Sequence, residues 1–233
     1  IKEQGVQRGL GSHLIAIVAE DKKGRLYLSP NAEHMAASLV KAPDDVPLQE
    51  IPHNPRSHWT PAYGLTKFSD LFTNRQLVAL TTLSELVPEV RSKVLEDALA
   101  SGIPAGERLE DGGVGAEAYA DAVATYLALG VSRMADYCNS LCTWDRTRDS
   151  VTHLFSRQAI PLVWDYVEAN ILSNSSGNFL GQLGWIVKAL QRMNVQGSGK
   201  VKQISATSRD YAGLVVSTDP PYYDNIGYSD LSD

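Results

Sequence analysis

The sequence predicts a mainly α fold with a small β component, an α+β chain. Three observations carry this. Apolar residues recur at helical spacing over 68–100 and again over 115–141. Strand-like patterning is confined to the two ends, at 13–30 and 200–218. Hydrophobic residues make up 43% of the 233, enough for a packed core.

Residues 13–30 read as a β-hairpin. His13–Ala19 is strand-like, Glu20–Gly24 is the turn, and Arg25–Leu28 returns. A short helix is expected around Glu33–Val40. From Lys41 to Tyr63 the prolines Pro43, Pro47, Pro52, Pro55 and Pro61 dictate an extended surface segment. The next helix starts near Phe68 or after Thr73, with Leu77, Leu80, Leu83, Leu86 and Val87 on its stripe. Pro88 opens a further turn rather than breaking it, and Val90, Val94, Leu95 and Leu99 continue to Gly102. A loop over 101–113 leads to a long helix from about Gly115 to Leu141, its buried stripe running from Tyr119 through Tyr126 and Met134 to Leu141. Shorter helices are expected at about 148–157, 160–171 and 177–194. After Gly197-Ser198-Gly199 the pattern changes, and Lys200–Ala206 and Ala212–Thr218 read as two short strands.

Composition narrows the function. No apolar stretch approaches a membrane span and no secretory signal opens the chain, so an intracellular, cytoplasmic protein without membrane contact is expected. The net charge of −6 argues against this chain alone binding nucleic acid strongly, although a locally basic groove remains compatible. Cys138 and Cys142 fall four apart in a helical stretch. That spacing holds Cβ atoms about 6 Å apart, too far for an easy disulfide, so both read as reduced, half-buried thiols. Ile1 is not an initiator and Asp233 follows the chain's most distinctive motif at once. A piece of a longer protein is therefore expected.

That motif is Asp219-Pro220-Pro221-Tyr222, placed directly after the apolar run Gly213–Thr218. It suits the methylation of an amino group whose lone pair is delocalised into a ring or carbonyl. Such a nitrogen becomes nucleophilic when acceptors hold its N–H bonds out of the conjugated plane. The Asp219 carboxylate can accept one N–H and the Pro220 carbonyl the other. The proline ring fixes φ and so presents its carbonyl rigidly. Tyr222 can stack on a base swung out of its helix. The same letters also fit an ordinary strand-to-turn transition.

The tail from Thr218 to Asp233 resembles the amino-methyltransferase motif of large adenine-specific DNA methylases. Further segments resemble that family too: Tyr63-Gly64-Leu65 with Phe68, Asp70–Thr73 and Arg75–Leu77; Arg133–Tyr137; Leu141–Trp144; and Phe155–Ala159 with Val163-Trp164-Asp165. The resemblance covers most of the chain from about residue 55. It implies a Rossmann-like catalytic domain that uses S-adenosyl-L-methionine, with 197–233 as a partial methyltransferase sheet. Residues 1–196 become the N-terminal hairpin and a helical insertion for target recognition or scaffolding. Implied partners are DNA, the remainder of the same polypeptide and other proteins of a defence assembly. The family's cofactor loop, a Gly-rich turn opening with Asp-Pro-Phe, has no counterpart here, and Ser205-Ala206 stands where such strands often carry an acid. Asp111-Gly112-Gly113-Val114-Gly115 is glycine-rich but has no buried strand before it, so it reads as a loop leading into a helix.

Other residues stay open between two readings. Tyr223, Asp224 and Asn225 either touch the target or order their loop. Arg146, Arg148 and Arg157 either contact phosphates or pair with Asp145 and Asp149 on a helix surface. Trp59 and Tyr63, with Arg56 and Arg75, suit either nucleic-acid contact or packing of the proline-rich segment. His53 and His58 lack cysteines or acids at ligand spacing, so no metal site is expected. Substrate alternatives are cytosine N4, an RNA base or a protein glutamine amide. A non-catalytic helical interaction module is the alternative of a different class.

Overall fold

The computed structural model describes residues 1–220 apart from Arg157, Val195, Gln196, Ser198, Lys200, Lys202 and Gln203. Helix α1 (Lys2–Val6) precedes the expected hairpin, β1 (Ile17–Asp21) and β2 (Gly24–Leu28); its first strand begins at Ile17 rather than His13 and takes in Glu20 and Asp21, read from sequence as turn. The two strands pair antiparallel from Ile17↔Leu28 to Asp21↔Gly24. The Asp21 carboxylate accepts the Lys23 N–H at 2.6 Å and Gly24 takes a positive φ of 122°, which together close the turn. Helix α2 (Ala32–Ala37) begins at Asn31, whose side chain accepts the His34 N–H at 2.9 Å.

The proline-rich segment is a strap rather than a wholly extended surface segment: Ile51, Ser57, His58 and Thr60 are buried, and it ends in a 3-10 turn at Thr60–Tyr63. The N–H groups of Ile51, Phe68 and Ser69 donate to Thr66, Gln49 and Pro47 carbonyls at 2.8, 3.1 and 3.0 Å. This seats Ile51 in the main core with Leu71, Leu141, Leu154 and Ile160; Leu65, Phe68, Phe72 and Val163 pack around them. After a 3-10 turn at Phe68–Leu71, α3 runs from Asn74 to Ala100. Thr73 and Gln76 form a reciprocal cap: Thr73 Oγ1 accepts the Gln76 N–H, and Gln76 Oε1 accepts the Thr73 N–H. Pro88 lies inside α3 without ending it. The carbonyl that loses its donor belongs to Ser84, an exposed residue that water can reach.

Helix α4 (Ala116–Ala135) packs along α3. Of the stripe expected to be buried, Gly130 and Met134 are, but Tyr119 and Tyr126 are exposed, because the small residues Ala116, Ala118 and Ala120 take the buried positions instead. The helix ends six residues before the expected Leu141. Asn139 causes the stop: its Nδ2 donates to the Ala135 carbonyl at 2.8 Å while its Oδ1 accepts the Leu141 N–H at 2.9 Å. Cys138 and Cys142 therefore sit in the turn after the helix rather than on it, and both are buried rather than half-buried.

The helices expected at 148–157 and 160–171 are not formed. In place of the first is a small hairpin, β3 (Trp144–Asp145) and β4 (Ser150–Val151). Asp145 Oδ1 accepts the Thr147 and Arg148 N–H groups at 2.8 and 3.2 Å, a local turn that competes with a helix. In the second segment the Ile160 and Val167 N–H groups donate to the distant carbonyls of Ser57 and Cys142, so tertiary pairing takes the bonds a helix needs. Helix α5 (Phe179–Arg192) is capped by Asn178, whose Oδ1 accepts the Gly181 N–H at 2.6 Å. It packs on α4 where Gly130 leaves room: a Cβ there would meet Leu183 at 2.4 Å.

The two C-terminal strands are not present among the described residues of 200–206 and 212–218, where a 3-10 turn at Ala206–Ser208 is followed by irregular chain. Strand geometry needs a hydrogen-bonded neighbour on at least one side, and neither segment has one among the described residues. No Rossmann-like sheet occurs among the described residues. No described helix is long and apolar enough to cross a membrane.

Candidate functional site

The motif divides at the limit of the described chain. Asp219 and Pro220 are exposed, and neither makes a hydrogen bond or ion pair with another described residue. Pro221, Tyr222, Tyr223, Asp224 and Asn225 lie outside the described residues. The approach to the motif is built from local turns. Ala212 N–H donates to Asp210 Oδ1 at 2.9 Å, Leu214 N–H to the Tyr211 carbonyl at 3.1 Å, and Tyr211 Oη to the Ala206 carbonyl at 2.7 Å. Beyond them Leu214, Val215 and Val216 are exposed, Val215 fully. The apolar run that leads into the motif thus buries nothing among the described residues, although burial is what its composition favours.

The arginines resolve differently. Arg157 lies outside the described residues. Arg148 donates through Nε to Asp145 Oδ2 at 2.6 Å, and this contact, with the Thr147 N–H, holds the Asp145 carboxyl below its ordinary range. Asp149 instead accepts the Tyr27 hydroxyl at 3.0 Å, and Trp144 Nε1 donates to the same Tyr27 oxygen at 3.2 Å. Arg146 is exposed on the β3–β4 turn. The turn is a place where β1–β2 docks, and Arg148 is engaged there by its own neighbour.

Of the aromatic residues of the strap, Tyr63 serves packing, whereas Trp59 is exposed, its Nε1 donating to the Arg56 carbonyl at 3.4 Å. Tyr63 meets Trp164 edge-on, with ring centroids 5.6 Å apart. Arg75 forms a two-pronged contact to Glu168, with Nε to Oε2 at 2.9 Å, and also donates to the Ser38 carbonyl. His58 is buried, with Nδ1 3.0 Å from the Pro52 carbonyl, whereas His53 is exposed. No metal-ligating cluster occurs among the described residues.

The glycine-rich loop is the place to ask whether S-adenosyl-L-methionine fits. A cradle for its methionine and ribose needs free backbone N–H groups at the helix start. Here Gly112 donates to Leu109, Gly113 to Arg108, Ala116 to Pro104 and Glu117 to Ala105, all at 2.8–3.0 Å. A Cβ on Gly106 would lie 1.7 Å from the Val114 carbonyl oxygen, so the loop is closed on itself. These residues do not fit the cofactor.

What the loop does carry is a charge hub that the sequence left unmarked. Asp121 accepts Arg91 Nε at 2.7 Å, Arg108 Nε and Nη2 at 3.1 Å, and the Leu109 N–H at 3.1 Å. Arg91 also reaches Glu117 at 2.6 Å. The Arg108 contacts, then those of Arg91, hold the Asp121 carboxyl far below its ordinary range. Glu117 and Asp121, acids at i and i+4 on one helix, were the available signal: such a pair repels unless a cation sits between.

No family model matches this chain, and neither a curated protein nor a solved structure matches it.

Proposed function

We propose that this chain is part of an S-adenosyl-L-methionine-dependent DNA methyltransferase acting on the N6 amine of adenine. The observation that supports it is the Asp219-Pro220-Pro221-Tyr222 sequence directly after an apolar, β-branched run. Asp219 and Pro220 face solvent with their oxygens uncommitted to other described residues, as acceptors for an incoming amine must be. The chemistry assigned to this chain's own residues is positional. Asp219 and Pro220 accept hydrogen bonds from the two amino N–H groups and hold those bonds out of the ring plane, which localises the lone pair on nitrogen. Tyr222 stacks on the extrahelical base. Holding the amine in line then supplies much of the rate.

The cofactor enters from the remainder of the polypeptide on this reading, because the Asp111, Gly112 and Gly113 N–H groups already donate to the Arg108 and Leu109 carbonyls. The exposed Leu214–Val216 run would join the catalytic sheet there. The helical pair α3–α4 with α5 would act as the target-recognition or scaffold module.

The test is methylation by the full-length protein on DNA, RNA and protein substrates in parallel, with the products digested and separated. N6-methyladenine from DNA is the expected product. N4-methylcytosine, a methylated RNA base or methylglutamine would move the reading to another planar amine. No methylated product from any substrate would overturn it.

A further inference from the structure

We draw no further inference here: the strongest candidate, the apolar stripe of Tyr119, Tyr126 and Leu129 that α4 leaves exposed, carries none because nothing in the structure shows what covers it.

Discussion

Single residues carry the parts of the account open to the sharpest tests. In the full-length protein, Tyr222→Ala is expected to weaken binding of an extrahelical adenine by about 1–3 kcal/mol, the scale of base–aromatic stacking. Tyr222→Phe keeps the ring and is expected to be much milder. Fluorescence titration with a 2-aminopurine substrate reads both, and equal losses in the two variants would remove the stacking role. The cysteines give a second residue-scale prediction. Burial pushes the Cys138 thiol up to about 12 and the Cys142 thiol up to about 11. Because the thiolate is the reactive form, neither should react with a thiol reagent at neutral pH until the fold opens. Prompt labelling of the native chain would contradict the burial. At the core, Leu141→Ala is expected to cost about 2–5 kcal/mol in denaturant titration, since the side chain is buried among Ile51, Leu71, Leu154 and Ile160.

Elements show which sequence signals are decisive. The body of α3 was legible, because apolar periodicity carries it across Pro88 to Ala100, but its start was left between Phe68 and Thr73, and the reciprocal Thr73–Gln76 cap decides it. The β1–β2 hairpin was legible because Asp21 and Gly24 specify its turn. The end of α4 was not. Periodicity continues to Leu141, and only the Asn139 side chain, bonding its own neighbours, stops the helix. The 160–171 segment was misread for a related reason: the Ile160 and Val167 N–H groups donate to Ser57 and Cys142, remote in sequence. Pattern reports which face is apolar, not which distant carbonyl will take a given N–H. The strands expected near the C-terminus do not appear among the described residues, and a strand is defined by its neighbour.

The loop between α3 and α4 yields two predictions. Gly106 has a φ of 67°, and a Cβ would strike the Val114 carbonyl. Gly106→Ala should therefore destabilise the chain by about 1–3 kcal/mol, despite the lower unfolded-state entropy of alanine. An unchanged midpoint in urea would show that the loop is not closed as described. The Asp121 hub gives a pH dependence. Its folded-state pKa is depressed by Arg108 and Arg91, so its contribution is full above the ordinary carboxylate value of about 3.9. The contribution is lost as pH falls from there through the folded value. Melting temperature against pH should decline more steeply below about pH 4 in the wild type than in Asp121→Asn. Parallel curves would show that Asp121 is not coupled to folding.

At the scale of the whole molecule, a helical body is held by a strap, and the motif-bearing tail has no sheet of its own among the described residues. Far-ultraviolet circular dichroism should be dominated by helix, and a predominantly β spectrum would contradict the fold. The Asp219–Tyr222 letters are plain in the sequence, but what would position them is not, because a loop that follows a strand is placed by the sheet beneath it. The central claim is that Asp219 acts on the amine rather than merely ending a turn. The most direct measurement is the turnover of Asp219→Ala in the full-length protein, followed by transfer of a tritiated methyl group to DNA at saturating substrate. The account predicts a fall in kcat of at least about a hundredfold, the scale of losing one preorganised polar contact to developing charge, with cofactor affinity nearly unchanged. Turnover equal to the wild type would contradict it.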